Sequence, residues 1–220
     1  AEREIDRLME ETKAKGATVL IADPNTGEIL ALADRPTFDP NNPTAVPDTN
    51  RRNLAVWYNY EPGSTFKIVT AAAALEEKVV RENDGFYCRG GLMVAGQPIG
   101  CVTSHGSQTF VEVVKNSCNV GFMTIGMRMT REKLYEYIHG FGFGQAPGSN
   151  LPGEETGILL PVKSVGPVEH ANISFGQGIA VTPMQMISMV GAVANGGLLM
   201  KPQVIREIKD ADGAVIQPFT

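Results

Sequence analysis

Ser64 and Lys67 stand three positions apart in "YEPGSTFK". A serine nucleophile needs a partner to take its proton, and the chain holds only three histidines, His105, His139 and His170. On a helix, positions i and i+3 share a face, so Lys67 would sit beside Ser64. Lysine accepts a proton only when neutral, and with a reference pKa of about 10.4 it must be desolvated or placed near another cation. The apolar "IVTAAAAL" that follows suggests that burial. A serine in the first turn of a helix also lies near free backbone N–H groups and the positive end of the helix dipole. Those groups can stabilise an alkoxide, and the Ser64 N–H can form half of an oxyanion hole. Taken alone, the pair reads as easily as an ordinary helix start.

A second pair of polar residues, Ser117 and Asn119, flanks Cys118 in "KNSCNVGF". Between two helical stretches, a loop here can aim a hydroxyl and an amide at one point. The hydroxyl can relay a proton to a leaving group and the amide can hold a carbonyl. By itself this string reads as a helix N-cap, where Ser and Asn are favoured.

The elements that must position these groups follow from periodicity and turn chemistry. Residues 1–16 read as a helix with Ile5, Leu8 and Met9 on one face and Gly16 as its stop. "ATVLIADPNTGEILALAD" reads as a β-hairpin turning at Asn25 and Gly27, and "RPTFDPNNPTAVPD" as loop. "STFKIVTAAAALEEK" is a strong helix beginning after Pro62 and Gly63. "YCRGGLMVAGQPIGC" reads as an irregular hairpin, and "TFVEVVKNS", "NVGFMTIGMRM" and "REKLYEYIHGFGFG" as helices. Residues 144–170 are loop-rich. "TPMQMISMVGAVANGG" is a helix with Thr182 as N-cap, Pro183 in its first turn and Gly196 at its end. Two short strands around "ADG" close the chain. This order, strands then helices then strands, predicts an α+β fold with helices against one mostly antiparallel sheet. Three segments are expected: 1–60 (helix, hairpin and loop), 61–195 (the helical part with both motifs) and 196–220 (the last strands).

Composition narrows the function. The chain has 220 residues, 43% hydrophobic and 20% charged, with a net charge of −5. It is long enough for a real core and carries no basic stripe, so nucleic acid and anionic membrane surfaces are unexpected partners. No apolar run is long enough to span a bilayer. The charged opening "AEREIDRLMEETKAKG" is no signal peptide. No cofactor is implied. Cys88, Cys101 and Cys118 allow one disulfide at most and have the wrong spacing for a zinc site, so no metal is expected. His105 and His170 read as loop histidines rather than ligands, Glu154 and Glu155 as solvated charges, and "MQMISM" as core packing.

Ser-x-x-Lys followed by Ser-x-Asn, in that order, resembles the penicillin-binding proteins and class A β-lactamases. Longer strings sharpen the match. "GATVLIADPNTGEILALADRPTFDPNNP", "YEPGSTFK", "LPGEETGILLP" and "ISFGQGIAVTPMQMISMVGAVANGG" resemble the transpeptidase domain of class B penicillin-binding proteins, covering nearly all of the chain. The cysteine inside the second motif is similar to the sporulation-specific branch. The resemblance implies a penicillin-binding-protein/β-lactamase-like fold, here with an incomplete sheet and an all-helical subdomain, and a D,D-transpeptidase acting on peptidoglycan stem peptides. It implies that Ser64 attacks the D-Ala–D-Ala carbonyl, that Lys67 takes its proton, and that Ser117 and Asn119 assist proton transfer and position the peptide. β-Lactam antibiotics would acylate the same serine. Gln177 and Gly178 would lie near the site. The full-length protein would be membrane-anchored and extracytoplasmic, with cell-wall synthesis partners.

The family's third motif, Lys-Thr-Gly, is absent, "KSV" at Lys163–Val165 being the nearest string. The 220 residues therefore read as a fragment whose activity is impaired, expected to occur with the missing C-terminal segment or a second chain. A serine β-lactamase and a non-catalytic β-lactam sensor remain alternative readings. Cys88 can pair with Cys101, or Cys101 with Cys118, or all three can remain thiols. A Cys101–Cys118 bridge, which closes a loop worth about 3 kcal/mol, would be a redox switch holding Ser117 and Asn119 away from Ser64.

Overall fold

The computed structural model describes residues 1–218. Phe219 and Thr220, the end of the last strand expected from sequence, lie outside the described residues. In chain order the first elements are α1 (Glu2–Thr12), β1 (Ala17–Ala22), β2 (Ile29–Arg35) and α2 (Leu54–Trp57). A 3-10 turn (Gly63–Phe66) leads directly into α3 (Lys67–Glu76). Then come β3 (Gly85–Cys88), β4 (Gly91–Val94), β5 (Gln97–Gly100), β6 (Gly106–Thr109), α4 (Phe110–Lys115), α5 (Asn119–Gly126) and α6 (Arg131–Gly140). The chain continues through α7 (Pro167–Ile173), α8 (Pro183–Ala194), β7 (Glu207–Lys209) and β8 (Val215–Pro218). Among the described residues no helix is long and apolar enough to cross a membrane.

Two compact units interleave along the sequence. The first comprises Ala1–Asn59, Gln145–Gly157 and the chain from Val181 onward; the second comprises Tyr60–Gly144 and Ile158–Ala180.

In the first unit, β1 and β2 form the expected antiparallel hairpin, with Val19 opposite Ala33 and Leu20 opposite Leu32. Gly27 turns the hairpin at φ 77°, and a Cβ there would meet the Lys201 carbonyl oxygen at 2.2 Å, so only glycine fits. Thr182 caps α8 through a reciprocal capping box with Gln185, Pro183 occupies the first turn, and Gly196 follows the helix at φ 89°. The Gln185 side chain, 1% exposed, also donates from Nε2 to the carbonyls of Gln145 and Thr156, both at 2.9 Å. Those bonds tie a loop to α8. Glu154, expected to be a solvated charge, instead accepts from the backbone N–H of Gly148 (2.9 Å) and Ser149 (2.6 Å) and from the Ser149 hydroxyl. Its carboxylate holds that loop together.

The second unit is built around α3 and α5. Val69, Ala73 and Ala74 of α3 and Met123 and Ile125 of α5 are fully buried. Each large apolar side chain so removed from water contributes about 1.5–3 kcal/mol. Close approach depends on missing side chains. A Cβ on Gly121 would lie 2.4 Å from Val113 Cγ1, and one on Gly126 would lie 1.8 Å from Ser174 Oγ. These glycines let α5 sit against α4 and α7. Phe66 packs on Phe143 with ring centroids 5.4 Å apart, wedging the start of α3.

The α+β class is as expected, but several local expectations change. In place of one sheet, the described residues hold four separate two-stranded antiparallel pairs. The helical block is not all-helical, because β3 pairs with β6 while the β4–β5 hairpin forms between them. The glycines at 90, 91, 96, 100 and 106 break these strands into lengths too short for a periodicity signal. α1 stops at Lys13, which takes the left-handed conformation (φ 55°), three residues before Gly16. His170 lies on α7, inside the segment expected to be loop.

Candidate active site

Ser64 occupies the 3-10 turn at the head of α3, solvent-exposed, and Lys67 opens the α-helix proper. The turn is held from outside. Gly63 N–H donates to the Gly176 carbonyl at 2.9 Å, and Gly178 N–H donates to Glu61 Oε1 at 2.8 Å. Gly176 stands at φ 86°, and a Cβ there would fall 2.0 Å from the Gly63 oxygen. Gly176 thus fixes the serine turn, a role the sequence reading did not assign to it. Its signal was the "FGQG" string, where glycine marks a close backbone approach. Gly176→Ala is expected to lower stability by about 1–3 kcal/mol, the cost of holding a side chain at such a φ, and to slow acylation of Ser64. Chemical denaturation beside penicillin labelling measures both. An unchanged denaturation midpoint would mean that the turn does not depend on this contact.

Lys67 is 4% exposed, unusual for a lysine, and its Nζ is the hub of the site. It lies 3.1 Å from Ser64 Oγ, 2.9 Å from Ser117 Oγ, 2.7 Å from the Ser117 carbonyl and 2.7 Å from Asn119 Oδ1. A neutral amine has two N–H donors and one lone pair. The Ser117 carbonyl and Asn119 Oδ1 can only accept, so they take the two donors. The lone pair is then left to face a serine hydroxyl. Two hydroxyls lie within its reach, Ser117 Oγ at 2.9 Å and Ser64 Oγ at 3.1 Å.

Backbone geometry puts Ser117 and Asn119 there. α4 ends at Lys115, and Ser117 takes φ 50°, left-handed for a residue other than glycine. Such strain persists only where its surroundings hold it. Cys118 then caps α5, its sulfur accepting from Gly121 N–H at 3.4 Å, and Asn119 is the first helical residue. Asn119 Nδ2 donates to the Gly100 carbonyl at 3.3 Å, which orients its Oδ1 toward Lys67. The fold thus brings together all four residues that the sequence singled out for chemistry.

Burial pushes the Lys67 pKa below its ordinary value of 10.5, against opposing pulls from Cys101 and Cys118. The neutral fraction grows with pH, because the base form is the deprotonated one. Acylation by a β-lactam should therefore rise with pH, with its midpoint below 10.5. A rate that is flat or falls across the alkaline range would show that Lys67 acts only as a charge.

Cys101 and Cys118 are unbonded thiols with sulfurs 4.0 Å apart, and Cys88 is also free. Burial pushes the Cys118 thiol up to about 11. For Cys101, burial also raises the pKa, but backbone N–H groups of Val120, Asn119 and Thr103 outweigh it and hold the thiol below its usual range. The spacing of the cysteines argued against a metal site, and His105 read as a loop residue. In the structure, one ligand atom from each of Cys88, Cys101, His105 and Cys118 falls within 4.8 Å of the others. The β4–β5 hairpin makes this possible, returning Cys101 beside Cys88 in space. The other two histidines are elsewhere: His139 Nδ1 meets the Phe143 carbonyl at 3.1 Å, and burial lowers the pKa of His170.

A family model described as penicillin binding protein transpeptidase domain matches residues 17–219. The chain is 49% identical over 210 residues to stage V sporulation protein D of Bacillus subtilis, covering 94% of this chain and 32% of that protein. It is 32% identical over 196 residues to peptidoglycan D,D-transpeptidase FtsI of Escherichia coli, covering 89% of this chain and 33% of the relative. Among solved structures, penicillin-binding protein 3 of Mycobacterium tuberculosis in complex with aztreonam superposes with a TM-score of 0.88 at 30% identity, covering 98% of this chain and 49% of that one. The chain spans about a third of the length of these two curated relatives.

Proposed function

The chain belongs to the penicillin-binding protein transpeptidase family, and on that premise we propose that the protein carrying it is a serine D,D-transpeptidase of peptidoglycan. The observation that supports this most is the buried Lys67 amine, held by Ser117 and Asn119 and 3.1 Å from Ser64 Oγ. Lys67 takes the proton as Ser64 Oγ attacks the carbonyl of the penultimate D-Ala in a stem peptide. The Ser64 N–H, at the head of α3, faces the developing oxyanion. Ser117, in contact with Lys67, passes the proton to the departing D-Ala amine. The amide of Asn119 positions the peptide. The acyl group is then transferred to the amine of a second stem peptide, which restores Ser64. A β-lactam carbonyl enters the same path and stops at the acyl-enzyme. Substrate and product place the protein outside the cytoplasm, with an anchor and cell-wall partners contributed by the rest of the molecule.

Cys101 and Cys118 add a redox arm to this reading. Exchange with the disulfide form of an oxidising partner protein would join the two sulfurs, that disulfide being reduced to two thiols. The sulfurs would close from 4.0 Å to about 2.05 Å. Because Cys118 lies between Ser117 and Asn119, that movement disturbs the groups that hold Lys67.

Nitrocefin distinguishes a transpeptidase from a β-lactamase. The expected trace is one stoichiometric burst. Sustained turnover would require an efficient deacylating base and would replace this reading with a β-lactamase.

A further inference from the structure

Outside the serine site, the densest group of reactive side chains is Cys88, Cys101, His105 and Cys118. We propose that these four residues form a tetrahedral site for one zinc-class divalent ion, and that its occupancy fixes the turn from which Ser117 and Asn119 reach Lys67.

The geometry approaches that of a tetrahedral zinc centre. Zn–S bonds of about 2.3 Å and Zn–N bonds of about 2.0–2.1 Å at tetrahedral angles separate ligand atoms by roughly 3.5–3.8 Å. Cys101 Sγ lies 3.7 Å from His105 Nδ1 and 4.0 Å from Cys118 Sγ, and all four ligand atoms fall within 4.8 Å. Separations of up to 4.8 Å must close by about 1 Å to bring all four onto a common centre. Three sulfurs and an imidazole are a donor set suited to zinc rather than to magnesium or calcium.

Backbone N–H groups already reach two of the four ligand atoms. Gly90 N–H donates to Cys88 Sγ and Gly121 N–H to Cys118 Sγ, each at 3.4 Å. Gln108 is 5% exposed, and its Oε1 accepts from Asn116 Nδ2 at 3.1 Å. Its buried Nε2 has no hydrogen-bond partner. An unpaired buried donor in the neighbourhood of Cys118 is a group that a metal-bound thiolate would satisfy. Outer groups of this kind orient and tune metal ligands.

The site also touches the catalytic turn from both sides. Cys118 caps α5 between Ser117 and Asn119, while Cys101 follows Gly100, whose carbonyl holds the Asn119 amide. A metal joining Cys101 to Cys118 therefore clamps both supports of Asn119. Binding displaces up to three thiol protons to water and leaves no sulfur free for a Cys101–Cys118 disulfide, so the two states exclude each other.

The test uses the whole protein, reduced, stripped with a chelator and titrated with Co2+. The expected result is the visible absorption of tetrahedral cobalt with thiolate-to-cobalt charge transfer, saturating at one ion per chain and bleached by Zn2+. Cys88→Ser and the half-exposed His105→Ala should each weaken Co2+ binding at least tenfold. Gln108→Leu should weaken it by about 10–100-fold, as loss of an outer-shell partner does. No tetrahedral spectrum at excess Co2+, or full affinity in both ligand variants, would overturn the site. With oxidised glutathione, metal-free protein should form the Cys101–Cys118 bridge while zinc-loaded protein keeps its thiols. Equal oxidation in both would contradict shared ligation. Zn2+ should speed penicillin labelling of the wild type and leave Cys88→Ser unchanged. A normal cobalt titration with labelling indifferent to Zn2+ would refute the link to the catalytic turn. The optical readout needs no β-lactam, so failure of the metal site and failure of the transpeptidase reading are told apart.

Discussion

Ser64→Ala is expected to abolish covalent labelling by penicillin without loosening the fold. Ser64 is exposed at the turn entering α3, and its hydroxyl meets the Lys67 amine. Removing an exposed hydroxyl of this kind usually changes stability by no more than about 0.5 kcal/mol. The variant should therefore melt with the wild type while its acyl adduct disappears from the intact mass spectrum. A variant that still gains the mass of penicillin would mean that another side chain is acylated.

Lys67→Arg should be nearly as inactive as Lys67→Ala. General-base catalysis contributes typically about 10²–10⁴-fold, and both variants should lose acylation rate on that scale. Arginine keeps the positive charge and can still donate to the Ser117 carbonyl and Asn119 Oδ1, but it does not deprotonate in proteins. If Lys67 supplied only charge, arginine would preserve much of the rate. Measuring penicillin acylation for both variants, beside their melting curves, separates the two roles. An arginine variant within a few-fold of wild type would move the base elsewhere.

The four residues proposed for catalysis were legible in the sequence because their relations are local. Ser64 and Lys67 are joined by one helical turn, and Ser117 and Asn119 by a break between helices, so spacing alone puts each pair on one side of the chain. Joining the two pairs needed the resemblance to a family, since no periodicity predicts that Lys67 meets residues fifty positions away. The elements that failed to show are held by distant backbone contacts. β3 pairs with β6 across an intervening hairpin, and each strand is only four residues long. The grouping of Cys88 with His105 follows from that pairing and has no sequence spacing of its own. Gly176 carried no role in the sequence, yet the Gly63 carbonyl occupies the space its side chain would need. Glu154 looked solvated because nothing local says that two backbone N–H groups will turn toward it.

The central claim is that the acyl group on Ser64 passes to an amine. It is tested most directly by giving the whole protein a stem-peptide donor ending in D-Ala–D-Ala together with an amine acceptor, and separating the products by mass. D-Ala should be released, the donor should appear joined to the acceptor in a new amide, and both products should vanish in Ser64→Ala. Release of D-Ala with only the hydrolysed donor, at any acceptor concentration, would contradict that claim.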